Sequence, residues 1–302
     1  MKIQSIETFT RNPLSIVRVR TDTGHEGWGQ ISPYNADIAA TVLHRQIVPH
    51  ALGVDVTPSA SVRDDIGALV DRCLEATYKF PGSYVCRALT GLDTALWDLR
   101  GKLAGKSVCE LLGGQPRPFP VYGSSMRRDI TPEDEAARFV KLRDTFGFRA
   151  FKVRVGKVCG HNEDQWPGRT EALIPTVREA IGDDITLLVD ANSCYTPSKA
   201  IEVGHILEAY NVGHFEEPCP YWELEWTAEV TRALDVPAAG GEQDFALVQW
   251  RRIVGIPSVD IVQPDICYIG GLTRALRVAD MASADAAASP CLPCVPHSAN
   301  LS

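Results

Sequence analysis

Three short apolar segments, each ending in a carboxylate, recur at a constant interval in the second half of the chain. They read LLVDAN, HFEEP and AAGGE, and their carboxylates are Asp190, Glu216 and Glu242. Both intervals are equal, since 216 − 190 = 26 and 242 − 216 = 26. This length accommodates one strand, one helix and two loops, the βα unit of a parallel barrel. The pattern therefore predicts an α/β fold with a carboxylate at the C-terminal end of each of three consecutive strands.

These three carboxylates are predicted to form a metal site. The C-terminal ends of barrel strands lie on one side of the barrel, so Asp190, Glu216 and Glu242 would face one place. Like charges at close range repel each other, and a divalent cation would offset that repulsion. A ligand set made only of oxygen favours a hard cation, so we expect Mg²⁺. The alternative is that they are unrelated surface carboxylates.

The pattern of strand and helix signals changes near three prolines, Pro116, Pro118 and Pro120. After them, seven strand patterns alternate with helical patterns, which predicts a (β/α) barrel over residues 119–302. The seventh strand is expected at 292–296. A closed barrel needs eight strands, so the eighth strand and the C-terminal tail are expected to be absent from these 302 residues.

The first part of the chain, residues 1–118, shows no such alternation. Three strand patterns come first, followed by amphipathic helical patterns, including one helix over 87–112 that Gly113 and Gly114 would end. We therefore expect an N-terminal α+β capping domain on a modified TIM (β/α) barrel. The loop between Gly29 and Ala36 is either a surface loop or a lid over the active site. Tyr34 in this loop is a candidate substrate-binding residue.

Composition narrows the possible partners and location. The formal charge of −8 argues against nucleic acid or an anionic membrane surface as a partner. No apolar run approaches the roughly 20 residues needed to span a bilayer, and the N-terminal residues lack the apolar core of a signal peptide. The nine cysteines are scattered along the chain, as expected for free thiols in a reducing compartment. We therefore expect a cytoplasmic protein.

Other polar residues are predicted at the same end of the barrel. Lys152 and Arg154 would place positive charge at the end of the second strand. Asp265 and His297 would follow the sixth and seventh strands, where a carboxylate could fix the imidazole tautomer and raise its basicity. This pair is a candidate general base beside the cation site, although either residue alone would more often be structural.

Seven motifs occur in a fixed order from the end of the first domain to the last residues. They are ALWDLRGKLAGK…LLGG at 95–114, FKVRV at 151–155, LVDAN at 188–192, FEEP at 215–218, GGE at 240–242, DIVQPD at 260–265 and PHS at 296–298. In this order they resemble the enolase superfamily, in its mandelate racemase and muconate-lactonizing branch. Each motif is weak alone, but the series is specific and covers nearly the whole chain.

The resemblance implies that a carboxylate substrate binds Mg²⁺ and loses the proton α to its carboxylate, giving an enediolate. The three carboxylates match the metal ligands. Lys152 matches the first lysine of a Lys-x-Lys pair, which would stabilise the enediolate, and Asn192 matches a position that often contacts substrate. Asp265 and His297 match the His–Asp dyad of the racemase subgroup. The resemblance also suggests a homo-oligomer.

One departure from the family pattern bears on the reaction. Arg154 stands where the second lysine is found, and arginine is a poor general base because it stays protonated. It can still bind a substrate carboxylate or stabilise the enediolate, so Arg154 is a candidate substrate-binding residue. A racemase needs a base on each face of the α-carbon, whereas one base suffices for dehydration. His297 is the one good base that the sequence offers. A single base favours dehydration of a sugar acid to a 2-keto-3-deoxy acid. A racemase or epimerase of a 2-hydroxy acid and a catalytically silent, carboxylate-binding barrel are the alternatives.

Overall fold

The structure, a computed structural model, describes residues 1–59 and 61–284. It begins with a three-stranded antiparallel sheet in the order β1-β2-β3. The strands are β1 (Ile3–Arg11), β2 (Leu14–Thr21) and β3 (Glu26–Ile31). Their inward residues, such as Val17, Val19 and Ile31, are completely buried, because one face of this sheet packs on the helices that follow.

Five α-helices and one π-helical turn complete the N-terminal part. They are α1 (Ala36–Val42), the π-helical turn Leu43–Ile47, α2 (Val48–Ala51), α3 (Val62–Ala76), α4 (Ser83–Ala104) and α5 (Val108–Leu111). The expectation of one helix over 87–112 is wrong at its C-terminal end. Gly105 adopts a left-handed φ of 63° and ends α4, since glycine takes this conformation without steric cost. Ser107 then caps the separate short helix α5.

Helix α4 lies directly against β3, and glycines make the close approach possible. A Cβ built on Gly27 would lie 2.0 Å from the Ala95 carbonyl oxygen, and one on Gly29 would lie 2.4 Å from that of Gly91. Real side chains do not tolerate such contacts, so strand and helix would have to separate.

Gly27→Ala is therefore expected to lower the free energy of unfolding by about 3 kcal/mol. The comparison is Gly255→Ala at the end of a later helix, where an added Cβ meets nothing within 4 Å. Urea denaturation of both variants checks the prediction. Equal stabilities of the two variants would show that the packing of β3 on α4 is looser than described.

The second part of the structure contains a six-stranded parallel sheet in the order β4-β5-β6-β7-β8-β9. The strands are β4 (Gly123–Ser124), β5 (Ala150–Arg154), β6 (Thr186–Asp190), β7 (Val212–Glu216), β8 (Ala238–Gly240) and β9 (Ile261–Val262). The helices between and after them are α6 (Pro132–Phe146), α7 (Arg169–Ile181), α8 (Pro197–Ala209), α9 (Leu224–Ala233), α10 (Leu247–Gly255), α11 (Ile266–Ile269) and α12 (Leu272–Ala284). Sequential parallel strands with intervening helices confirm the predicted α/β class, and their order is the one that the predicted barrel requires.

The strand ends differ from expectation in one place that affects the site. The strand predicted to reach Glu242 ends at Gly240, so Glu242 lies in the loop after β8. The seventh predicted strand, 292–296, lies outside the described residues. Within the described part of the chain, no helix is both long and apolar enough to cross a membrane.

Buried polar side chains of α4 join the N-terminal part to α11 and α12, the last two helices of the described residues. The Thr90 hydroxyl lies 3.1 Å from the carbonyl oxygens of Ile266 and Cys267 in α11. Asp93 accepts a hydrogen bond from the Thr273 backbone N–H at the start of α12, where a carboxylate also complements the helix dipole. The cap therefore holds the segment that follows Asp265.

Asp93→Asn is expected to change how stability depends on pH. Burial raises the pKa of Asp93 from 3.8 to about 6, against hydrogen bonds from α12 that lower it. Between these values the folded state binds more protons than the unfolded state, so the free energy of unfolding falls as pH rises, by up to about 3 kcal/mol. Because asparagine does not titrate, the free energy of unfolding of the variant should lack this decline with rising pH.

Denaturation of wild type and variant at pH 4.5, 5.5 and 7 measures the effect. Asp98→Asn is the control, because Asp98 is on the same helix but partly exposed. Parallel stability profiles for wild type and Asp93→Asn would contradict the assignment.

Candidate active site

A buried lysine lies between two of the three carboxylates. Lys152 Nζ on β5 is 2.7 Å from Glu216 Oε1 and 3.5 Å from Asp190 Oδ2. The carboxylates end β6 and β7, and these two residues are paired in the parallel register. All three side chains are at least 97% buried. The strands thus place two negative charges and one positive charge at one end of the sheet.

The charges of this cluster stabilise one another. Burial alone would lower the pKa of Lys152, but Glu216 and Asp190 outweigh it and hold this pKa well above its ordinary value. Burial would likewise raise the pKa of Glu216, yet Lys152 and His214 bring it below its ordinary value. Glu216 is therefore ionised and Lys152 protonated at neutral pH.

The other oxygen of Glu216 has two further neighbours. His214 Nε2, two residues earlier on the same strand, is 3.4 Å from Glu216 Oε2. Gln263, just after β9, donates a hydrogen bond to the same oxygen at 3.2 Å. Groups on β5 and β7 and one just after β9 therefore surround this carboxylate.

Glu242 adds a third acidic group to the cluster. Burial, followed by the charges of Glu216 and Asp190, raises the pKa of Glu242 to about 8. Glu217 is affected similarly: burial first, then Glu242, Asp190 and Glu216, raise its pKa well above the ordinary value. The cluster therefore carries more acidic groups than Lys152 compensates.

These features fit a divalent cation. Asp190, Glu216 and Glu242 offer only oxygen donors, which hard cations such as Mg²⁺ prefer. Asp190 Oδ2 is buried and has no hydrogen-bond partner in the described structure. Among the described residues, however, no three His, Cys, Asp or Glu side chains converge in metal-binding geometry. Here the Lys152 ammonium group lies between two of the three carboxylates and supplies positive charge to both.

Arg154 and Asn192 lie beside the cluster. Arg154 Nε is 3.6 Å from Asp190 Oδ2. The Asn192 backbone N–H donates to Asp190 Oδ1 at 2.8 Å, and its side-chain oxygen accepts from Arg128 Nη2 at 2.6 Å. The structure thus brings two of the three predicted substrate-binding residues to the carboxylates, together with Arg128.

Asp265 caps helix α11, and its charge contributes to the raised pKa of Glu242. Its Oδ1 accepts the backbone N–H groups of Cys267 and Tyr268 at 2.7 and 3.2 Å. Burial raises the pKa of Asp265 to about 6, while these hydrogen bonds and Arg87 lower it. Its predicted partner His297 lies outside the described residues, so the dyad remains a prediction.

Tyr34 is placed differently from the other candidates. It lies in the loop before α1 and is 52% exposed, and in the described structure this loop contacts the cap helix α4. The Ser32 hydroxyl accepts from Arg87 Nη1 at 2.8 Å, and Asn35 donates to the Tyr84 hydroxyl at 2.9 Å. Among the described residues, the Tyr34 side chain forms no hydrogen bond with these carboxylates, and its role in substrate binding stays a prediction.

Three contacting residues were missed in the sequence. His214 lies two residues before Glu216 on β7, and strand periodicity places such residues on the same face, so this signal could have identified it. Gln263 follows the two-residue strand β9, which offers no such signal. Arg128 follows the two-residue strand β4, where no periodicity is available to predict its direction.

Comparison with known proteins agrees with this architecture. The family described as mandelate racemase / muconate lactonizing enzyme, N-terminal domain, matches residues 2–113, and the enolase C-terminal domain-like family matches residues 134–302. An arabinonate dehydratase from Saccharolobus solfataricus is 30% identical over 92% of this chain and 72% of its own length. Other curated relatives are named as dehydratases of sugar acids and as a cycloisomerase.

Solved structures show the same fold over nearly the whole chain. A crystal structure from Roseobacter denitrificans is 56% identical, with a TM-score of 0.93 over 98% of this chain and 78% of that one. A mandelate racemase/muconate lactonizing protein from Paracoccus denitrificans PD1222, complexed with magnesium, is 29% identical, with a TM-score of 0.86 over 97% and 78%.

Fold, sequence families and relatives together define an enzyme built on a capped (β/α) barrel. The chain belongs to the enolase superfamily, in the mandelate racemase / muconate lactonizing enzyme branch. The resemblance inferred from its motifs is confirmed.

Proposed function

We propose that this enzyme dehydrates a sugar acid to a 2-keto-3-deoxy acid in a Mg²⁺-dependent reaction. Removal of the α-proton gives an enediolate, and the β C–O bond then breaks with transfer of a proton to the departing hydroxyl. Water leaves, and the resulting enol becomes the keto acid. The observation that carries the proposal is the burial of Asp190 and Glu216 beside Lys152 at the ends of adjacent parallel strands, with Glu242 buried in the loop after the next strand.

Each residue has a defined role in this proposal. Asp190, Glu216 and Glu242 would hold the Mg²⁺ ion, which when bound supplies Lewis-acid stabilisation of negative charge on the substrate carboxylate. Lys152 and Arg154 add fixed positive charge where the enediolate develops. His297, oriented by Asp265, would remove the α-proton and return it to the leaving hydroxyl.

Arg154 favours dehydration over racemisation. Racemisation requires a second base on the opposite face of the α-carbon, and a guanidinium does not release its proton. Relatives named arabinonate dehydratase and D-galactonate dehydratase support the same substrate class, acid sugars. We further propose a capping domain of residues 1–118, a catalytic domain of 119–302, a homo-oligomer and a cytoplasmic location.

Turnover in D₂O tests the reaction class. The enzyme is incubated with Mg²⁺ and a library of aldonic and aldaric acids, and both products and recovered acids are analysed by mass spectrometry and NMR. Formation of a 2-keto acid is expected. Deuterium in recovered acid without keto acid would indicate a racemase or epimerase. No turnover of any acid, despite stabilisation by ligands, would indicate a silent carboxylate-binding barrel.

A further inference from the structure

One of the three proposed metal ligands lies outside the strands. Asp190 and Glu216 end β6 and β7 and are paired in the parallel register. The register between β8 and β9 reaches Gly240, and Glu242 follows two residues later in the loop 241–246. Strand pairing therefore places two of the carboxylates, whereas the position of Glu242 depends on the contacts that this loop makes.

The buried side chain of Trp250 supports the loop 241–246 from the helix that follows it. Trp250 Nε1 donates a hydrogen bond to the Asp244 carbonyl oxygen at 3.0 Å. A Cβ built on Gly241, whose φ is 108°, would lie 2.2 Å from the Trp250 ring, so this approach of backbone to ring requires glycine. These contacts hold the loop against α10, its neighbour in the chain.

Arg274 holds the same loop from a distant part of the chain. Its Nη2 donates to the Phe245 carbonyl oxygen at 2.6 Å, and its Nε donates to the Ile269 carbonyl oxygen at 2.6 Å. Phe245 belongs to the loop that carries Glu242, and Ile269 is the last residue of α11, the helix that Asp265 caps. One guanidinium group thus joins the loop after β8 to the segment after β9.

The packing around Arg274 restricts the direction of its side chain. Arg274 is buried, and a Cβ built on Gly270 would lie 3.0 Å from Arg274 Cδ. Cys86 of the cap helix α4 donates through Sγ to the same Phe245 carbonyl oxygen at 3.7 Å. Among residues 1–59 and 61–284, Arg274 forms no ion pair. A buried guanidinium that lost its hydrogen bonds would be costly, so the arginine and the two carbonyl groups constrain one another.

We propose that Arg274 is a positioning residue for the metal site: it fixes the loop 241–246 against α11 and so holds Glu242 where it can ligate the cation with Asp190 and Glu216. This inference rests on the Mg²⁺ site of the function proposed above. Arginine suits the role because its planar fork of N–H groups can reach two backbone segments at once, whereas lysine carries one compact ammonium group.

A buried arginine at the opposite end of the sheet provides a matched control. Arg178 on α7 donates only to carbonyl oxygens, including those of Ile185 and Asn211, which directly precede β6 and β7. Like Arg274, it is buried and forms no ion pair within the part of the chain that the structure describes. Arg178→Met and Arg274→Met therefore remove the same group and the same kind of hydrogen bond, at opposite ends of the strands.

Two measurements on wild type, Arg274→Met and Arg178→Met, made well below the Tm of each protein, test the inference. Isothermal titration gives the Mg²⁺ affinity, and hydrogen–deuterium exchange in EDTA gives the protection of the backbone amides at 241–249. Arg274→Met should bind Mg²⁺ about 10–100-fold more weakly and exchange faster in this segment even without metal. Arg178→Met should keep wild-type affinity and wild-type exchange there, although its Tm also falls.

Wild-type Mg²⁺ affinity in Arg274→Met would overturn the inference, and so would unchanged exchange at 241–249. An equal loss of affinity in Arg178→Met would also overturn it, because the effect would then follow from lower stability alone. If wild type binds no Mg²⁺, the proposed metal site fails; faster exchange confined to Arg274→Met would then still show that Arg274 fixes the loop, and unchanged exchange would refute both. Should Arg274→Met fold poorly, Arg274→Lys and Arg178→Lys are compared in the same way, with a smaller loss of affinity expected in the first and none in the second.

Discussion

Lys152→Met is expected to lower kcat by about 10²–10³-fold, the effect typical of removing a preorganised group that stabilises developing negative charge. The Lys152 ammonium is almost completely buried and contacts both Glu216 and Asp190, so water cannot readily replace it. Steady-state kinetics with saturating Mg²⁺ measures the loss. Activity within fivefold of wild type would remove Lys152 from the proposed reaction.

The same variant is expected to depend on Mg²⁺ for stability. Removing one partner of a buried ion pair leaves an uncompensated charge and typically costs about 3–5 kcal/mol. Unfolding in EDTA should therefore show a clear loss of stability that Mg²⁺ largely restores. Lys199→Met is the matched control, because this lysine is partly exposed and pairs with Glu202 on the surface of α8. It should leave both stability and kcat close to wild type.

Glu216→Gln is expected to abolish measurable turnover and to weaken Mg²⁺ binding by at least about 100-fold. Changes in the partners of metal ligands already weaken binding about 10–100-fold, and this change removes a proposed ligand charge. It also leaves buried Lys152 with Asp190 as its remaining carboxylate partner within 4 Å among the described residues. Isothermal titration with Mg²⁺ gives the affinity, and a 2-keto acid assay gives the activity.

The control for this variant is Glu202→Gln, which removes an exposed carboxylate from α8. It should bind Mg²⁺ and turn over substrate as wild type does. Wild-type Mg²⁺ affinity in Glu216→Gln would mean that the ion binds elsewhere, and the assignment of the three carboxylates would fail.

Much of this site was predictable because strand geometry is periodic. Consecutive βα units of equal length place Asp190 and Glu216 at the same end of adjacent strands, and the structure pairs the two residues in register. Lys152 and Arg154 alternate with apolar neighbours on β5 and share a face for the same reason. Ligand type and strand position could therefore be inferred together from the sequence.

Other features were not predictable, because they depend on contacts between distant segments. The burial of Asp93 is one example: α4 is covered by β3 on one side and by α11 and α12 on the other, so the helix has little solvent-facing surface. Sequence periodicity reports one buried face and does not reveal a second. The direction of Arg128 depends on the Gly156 carbonyl group and Asn192, which lie on other loops.

The most direct test of the metal site is a crystal structure with Mn²⁺ in place of Mg²⁺, in which anomalous scattering locates the ion. Mn²⁺ accepts the same oxygen ligands as Mg²⁺. We expect one strong peak bounded by carboxylate oxygens of Asp190, Glu216 and Glu242, with metal–oxygen distances of about 2.1 Å. A peak away from these residues, or none beside them at saturating Mn²⁺, would contradict the central claim.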